Sequence, residues 1–566
     1  MKNIEIKKTV MKLQGYEVTS KHTQSEPRFA TRFSGLPRFN PANLINLMII
    51  FVLTIFCGLG GFAQGFSGGN GTQNNPFLIS NPNDLVGLSN YVNLSNVNYN
   101  TTGQYFLMTQ DIDMSGVSDF KSIGYGFDPS NTMLLHAFCG NFDGGGFAIK
   151  NLTMNWGHSN RFYVPYKALF GRVHDASISN LTLDNAVFIS TDSNGGYLSL
   201  FVAYSWGYTS GLRMENCIAK NCTLTQQPTN TNPTSAVGLV AAIDGNGKST
   251  HINNCHIINT QIDGGFVVGF CQRTFVGGVC SQDEGITVCT YDSLVITNSS
   301  VSNSSISGGY SGVGFIVGIA RSTLISDCHV SNCVISGESM AVGFASGVPG
   351  AAIMHGTRIS NCYAQTELHL TKVWIPYSQN PFYDHYGAYG FSQIKQGEGL
   401  DVPNLFNCYA ACEIHSFDNN SSLHSSFGGG LIYDIVMTNL AVNCYYLNQP
   451  PINVYRWQSP LNNIIGKTQS DLQSANMVSY PGTANNSLNY LQPNKPWKPD
   501  CRYYPINKGY PILSWQYLQS VVITLAATDT MVTSVTLNGI VIENSDSVVE
   551  KGFQWRQAGV NDWNTV

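Results

Sequence analysis

The sequence predicts an all-β chain, a parallel β-solenoid followed by a partial β-sandwich module, and three observations lead there. The first is a recurring couplet, a glycine-flanked apolar step followed some residues later by Asn or Asp plus Cys or Leu. It reads ALFGRV then SNLTL (168–173, 179–183), AVGLVAAI then NNCHI (236–243, 253–257), GVGFIVGIA then SDCHV (312–320, 326–330), and AVGFASGV then SNCYA (341–348, 360–364). Irregular self-similarity over a few tens of residues marks a stacked repeat. The second is alternation: residues 251–262 and 294–308 alternate apolar with polar, are rich in Ile and Val, and stop or turn at Gly. The third is composition. Charged residues make up only 11% of 566, while Gly reaches 56. Like charges on strands about 4.8 Å apart repel by about 1 kcal/mol in water and by roughly 3–4 kcal/mol at an effective dielectric of 20. Stacked Asn or Ser instead hydrogen-bond. A propeller or up-and-down barrel would space its strands more evenly and join them by hairpin turns.

Residues 1–63 read as a leader. Lys2, Lys7, Lys8, Lys12, Lys21, Arg28, Arg32 and Arg38 precede the apolar run LINLMIIFVLTIFCGLGGF at 44–62, which ends in small residues before Gln64. That order describes a secretory signal cleaved after Ala63. The run is also just long enough to act as an uncleaved membrane anchor, and the membrane enters only through this segment. Either way the bulk of the chain is exported.

Residues 64–140 form an N-terminal cap with the first strands. Helical signals occur near 83–93 and 470–477, where Asn83-Asp84-Leu85 and Ser470-Asp471-Leu472 read as N-caps followed by about two turns. Residues 141–448 carry the repeats, ten to thirteen rungs spanning roughly 50–60 Å at one strand spacing each. Within them Cys217, Cys255, Cys328, Cys362, Cys408 and Cys444 share one slot after Asn or Asp. A repeated slot means side chains stacked in one core, where a thiol acts as a small hydrophobe, so buried free thiols are expected although an exported chain can form disulfides. The couplet glycines mark corners needing positive φ or close backbone approach, and the Asn before Cys suits a left-handed residue. Residues 449–517 close the repeat body. Residues 518–566 alternate cleanly, but a sandwich needs about a hundred residues, so the chain is expected to stop inside that module.

Three stretches carry a family resemblance: NPFLISNPNDLVGLSNYVN (75–93), GQYFLMTQDIDMS (103–115) and FCGNFDGGGFAIKNLTM (138–154). With GLVAAIDGNGKSTHINNC, GFIVGIARSTLISDC and the tail NKGYPILSW, they resemble Bacteroidetes-type exported surface proteins with GLUG-motif repeats. The resemblance covers about 68–517, with long insertions between couplets and weak repeats around 266–292. It implies a right-handed β-helix. Residues 521–556 resemble the first half of a fibronectin-type-III-like module. GLUG repeats also occur as accessory parts of peptidases, so the resemblance specifies architecture rather than activity.

Polysaccharide lyases and glycosidases on β-helices need clustered carboxylates, a Ca²⁺ site or a poised base. The candidates are Asp111, Asp113, Asp143, Asp175 and Asp244, each best read as a carboxylate binding backbone N–H groups at a turn. Asp244-Gly-Asn246-Gly-Lys248 lacks the closing acidic ligand of a calcium loop. His355 and His385 stand outside any motif, and no HExxH, GxSxG or P-loop occurs. The cysteines form no CxxC and have no paired His, so no catalytic residue, metal or cofactor is predicted. A net charge of −5 gives no signature for binding nucleic acid.

Recognition remains. Aromatic insertions interrupt the repeats at 156–166, 374–391 and 455–457, and Trp156, Phe162, Tyr163, Trp374, Tyr377, Tyr383 and Tyr386 are the candidate binding residues. On loops such rings stack on sugars or anchor protein partners; folded down, they cover apolar solenoid surface. The functional expectation is a non-catalytic cell-surface adhesin or spacer presenting these inserts to glycans or to host or partner surface proteins. The alternative is an accessory region of a carbohydrate-active enzyme or surface peptidase.

Overall fold

A computed structural model describes residues 65–94, 99–125, 136–157, 166–191, 196–207, 209–227, 235–244, 248–273, 278–283, 286–291, 293–319, 322–347, 358–371, 387–393, 404–416, 424–425, 428–429, 441–448, 464–480, 486–500 and 505–517, with short strands at 4–7, 521–524, 539–542, 554–557 and 564–565. The chain divides into two compact units, Ala63–Leu513 and the combination of Met1–Phe62 with Ser514–Val566.

The larger unit is a parallel β-solenoid. One sheet stacks eleven strands from Phe77–Ile79 to Ala441–Val442, a second stacks eight from Phe170–His174 to Gly428–Gly429, and a third joins 23 short strands. Pairing is parallel and in register from rung to rung, as in Ile178 with Met214, Met214 with Ile252, and Ile252 with Ile296. The weak repeat around 266–292 has a structural cause. An antiparallel hairpin, Gly278–Asp283 with Ile286–Tyr291, is inserted there between rungs.

Each slot of the couplet has one physical role. The Asn or Asp before Cys adopts positive φ at 216, 254, 327, 361, 407 and 443, a conformation Asn tolerates better than other non-glycine residues. Its amide also bonds along the stack: Asn216 Nδ2 donates to Asn180 Oδ1 at 2.7 Å and Asn254 Nδ2 to Asn216 Oδ1 at 2.8 Å. The thiols that follow are fully buried and free. Register places Cys328, Cys362, Cys408 and Cys444 on successive rungs. Where the column holds Ser299, its hydroxyl accepts from Cys255 N at 3.1 Å. A second column runs Cys222, Thr260, Ser304, Cys333, Thr366, Cys412. Phe270, Phe315, Phe344 and Phe391 stack at 4.4, 4.8 and 4.9 Å between centroids.

Four of the couplet glycines serve close approach, whereas Gly318 takes a positive φ. A Cβ on Gly238, Gly269, Gly314 or Gly343 would lie 1.9–2.1 Å from the carbonyl oxygen of the glycine one rung on. No side chain fits that spacing.

Both helical signals fall near the expected places with shifted starts. The first helix is Pro82–Asn93, capped by Asn81 rather than Asn83, because Pro82 occupies the first turn and the Asn81 side chain accepts from Asn83 N and Asp84 N. The second is shorter than expected, Gln469–Leu472, capped by Thr468 in a reciprocal box with Asp471 and followed by a 3₁₀ turn at Ala475–Val478.

In the smaller unit Val521–Thr524 pairs antiparallel with Gly539–Ile542, and Gln554–Gln557 pairs antiparallel with Asn564–Thr565 and Ile4–Lys7. The apolar run at 44–62 lies outside the described residues, and among the described residues no helix is long and apolar enough to cross a membrane.

Candidate functional site

The most chemically loaded cluster lies on one flank of the solenoid, where Tyr363–Leu370 pairs with Glu413–Ser416. Strand alternation turns Leu368 into the core and leaves its neighbours Glu367 and His369 on the outer face. Register then sets Glu367 beside Glu413 and His369 beside His415. The two imidazoles stack at 4.7 Å with 22° between planes. Glu367 Oε2 lies 3.9 Å from His369 Nε2, and Lys508 Nζ lies 3.7 Å from Glu367 Oε1. Ligand atoms of Glu367, His369 and His415 all fall within 4.8 Å of one another.

The segment after the repeats holds Lys508 there. Trp497 packs on Tyr363 and Tyr409 at 6.0 and 5.5 Å, and Asn507 Nδ2 donates to the Tyr409 hydroxyl at 2.7 Å, while that hydroxyl donates to Pro511 O. The Asp500 carboxylate accepts from the backbone N–H of Ile506, Asn507 and Gly509 at 2.9–3.0 Å. These bonds fix the turn that presents Lys508.

The sequence reading overlooked this cluster. Its signal is a repeated Glu-x-His, at Glu367-Leu368-His369 and Glu413-Ile414-His415. Period-two alternation puts each pair on one face, but only the register, across an irregular insertion, brings the two together.

The carboxylates weighed for catalysis have structural partners. Asp111 accepts from Ala148 N at 2.9 Å and pairs with Lys150 at 2.6 Å; the Lys150 bond, with the Ala148 N–H, lowers its pKa. Asp113 accepts from Ser115 N at 3.0 Å and Asn151 Nδ2 at 2.9 Å, and Asp143 accepts from Gly145 N at 2.8 Å and Asn180 Nδ2 at 2.9 Å. Asp175 accepts from Thr209 N, Thr209 Oγ1, Ser210 N and Gly211 N at 2.7–3.1 Å. Tyr204 donates to Asp244 at 3.1 Å. An open cavity of about 420 Å³ beside the second helix is lined by Lys467, Asp471 and Asn486 among others. There Asp471 serves the capping box and Lys467 donates to Asn486 at 3.2 Å.

Of the aromatic candidates, Trp156 ends the strand Thr153–Trp156, half-buried, its ring meeting Phe188 edge-on at 5.8 Å. Phe162, Tyr163, Trp374, Tyr377, Tyr383 and Tyr386, like His355 and His385, lie outside the described residues.

No protein-family model matches the chain. A stretch of 128 residues, 22% of the chain, is 30% identical to halomucin of Haloquadratum walsbyi, and the match spans 1% of that relative's length. A solved structure of a candidate immunoglobulin A1 protease from Bacteroides ovatus aligns with 80% of this chain and 95% of that one, at 15% identity and a TM-score of 0.35, a likeness too low to carry an argument.

Proposed function

We propose that this chain is an exported cell-surface repeat protein of the GLUG type, a non-catalytic adhesin or spacer whose solenoid carries its insert loops away from the envelope. The observation that supports this most is the in-register stack running from Phe77 to Val442. A column of rungs sharing one core makes a continuous rod, and neighbour-to-neighbour contacts let it lengthen without a new fold. On this reading residues 1–63 direct export, 64–140 cap the rod, 141–448 build it, 449–517 close it, and 518–566 begin a fibronectin-type-III-like module. Trp374, Tyr377, Tyr383 and Tyr386 then present rings to glycans or surface proteins, with Trp156, Phe162 and Tyr163 as a second aromatic patch.

Two measurements on producing cells test it. Added protease and antibody should reach the protein on intact cells. The purified chain should bind a glycan or host-matrix array and lose that signal with Trp374→Ala plus Tyr377→Ala. Protein protected inside intact cells would refute surface display, and binding unchanged by the double substitution would refute the aromatic assignment.

A further inference from the structure

We infer that Glu367, His369 and His415 form a surface site for one divalent transition-metal ion, which clamps two adjacent rungs of the solenoid. The inference is independent of what the inserts recognise.

Tetrahedral zinc with bonds of about 2.0–2.2 Å sets its ligand atoms roughly 3.4 Å apart. The three side chains already bring ligand atoms within 4.8 Å, and all three retain solvent exposure. Small rotations about their χ angles close the difference without moving the backbone. Two stacked imidazoles and a carboxylate suit Zn²⁺, Ni²⁺ or Cu²⁺, whereas Mg²⁺ and Ca²⁺ prefer all-oxygen sets. Three protein ligands leave the fourth position of a tetrahedral ion for water or an outside group.

Charge along the stack favours a cation at the same place. Elsewhere the stack alternates sign along a column: Asp113 pairs with Lys150, Lys150 with Asp184, and Asp184 with Lys220. Glu367 and Glu413 are the one like-charge pair in register among the described strands. Carboxylates directly opposite on neighbouring strands destabilise the pairing. A cation held beside them removes that cost. Lys508, 46% exposed at its side chain, supplies part of the charge and would compete with the metal for Glu367.

The test is calorimetric titration of zinc chloride into the untagged full chain after removal of bound metal with a chelator. One zinc per chain is expected. His369→Gln and His415→Gln should each weaken binding at least about tenfold, the lower end of what even an outer-shell partner costs. Lys508→Met should tighten it, and His251→Gln, on another sheet, should leave it unchanged. With Cu²⁺ as probe, electron paramagnetic resonance should report two imidazole nitrogens in the parent and one in either His variant, with circular dichroism checking that each variant keeps its fold. No zinc binding, affinity indifferent to both His substitutions, or a two-nitrogen copper signal surviving in the His415→Gln chain would overturn the proposal.

Discussion

Replacing Gly314 by Ala should damage the stack far more than the same change at Gly309. A Cβ on Gly314 would sit 2.1 Å from Gly343 O and 3.0 Å from both Gly343 C and Ile335 Cδ1. Carbon and carbonyl oxygen rest no closer than about 3.3 Å even in favourable contact. The rungs must therefore part by about 1.2 Å at a point where Gly314 N donates to Val342 O and Phe315 N to Phe344 O, both at 2.9 Å. Leaving such buried groups unpaired costs about 1–3 kcal/mol each. Disturbing the Phe315–Phe344 stack adds roughly 0.5–1.5 kcal/mol. Ala stiffens the unfolded chain and offsets about 0.4–1 kcal/mol. The net loss is about 4 kcal/mol, between limits of about 1.5 and 7 kcal/mol. At Gly309 the nearest atom would be 3.6 Å from the new Cβ, an ordinary contact, so stability should stay within about 0.5 kcal/mol, as for a surface change. Urea unfolding followed by circular dichroism reads the difference, and hydrogen exchange localises it to the amides of Phe315 and Phe344, which matters because long repeat arrays need not unfold as one unit. Equal losses at the two positions, or a Gly314→Ala chain as stable as the parent, would refute the close-approach reading.

Acid should weaken the flank through His329, which is buried against Tyr363 at 4.8 Å and whose pKa burial pushes down to about 3, helped by the nearby charge of His256. The folded form resists the proton that the unfolded chain takes up near pH 6.5, so this stability is complete above about pH 6.5 and is lost as pH falls toward 3. That amounts to about 2 kcal/mol at pH 5. Burial lowers His256 to about 4, but its partial exposure makes its share smaller. A His329→Phe chain should show a shallower decline between pH 7 and 4, and an unchanged pH slope would count against the assignment. The stacked thiols should be inert, because burial raises Cys222 and Cys333 to about 12 and Cys412 to about 11 and lifts Cys362, Cys408 and Cys444 well above the ordinary range. Peptide mapping after native iodoacetamide treatment should leave the eleven buried cysteines unmodified, and denaturant without reductant should expose all of them; a requirement for reductant would mean disulfides.

Much of the fold was legible because a solenoid repeats its physics. The positive φ at Asn254 is announced by its place before Cys255 and by recurrence at Asn216 and Asn361. The buried thiol column is announced by one slot filled six times. Glycine was less readable, since positive φ and close approach select the same residue, and only the stacked carbonyls separate them at Gly314. Helix starts shifted because Asn81, followed by Pro82, and Thr468 cap the helices two residues before the expected positions. The Glu-His cluster was hidden for a different reason. Its members are 46 residues apart in register, Glu367 to Glu413 and His369 to His415, with an irregular insertion between. Periodicity assigns each pair to a face, but pairing register across an insertion of arbitrary length is a tertiary fact. Lys508 enters from outside the repeats altogether, carried in by the bonds that Asp500 and Asn507 make.

In the solenoid the couplet stacks each rung directly on the last. Ser177 and Arg358 sit in one column through Arg213, His251, Val295 and Leu324. Five strand spacings separate them, about 24 Å. Spin labels placed at 177 and 358 as unnatural amino acids, measured by double electron–electron resonance, should give a narrow distribution centred near that distance once label length is allowed for. A broad distribution, or one centred beyond about twice that separation, would contradict the stacked solenoid.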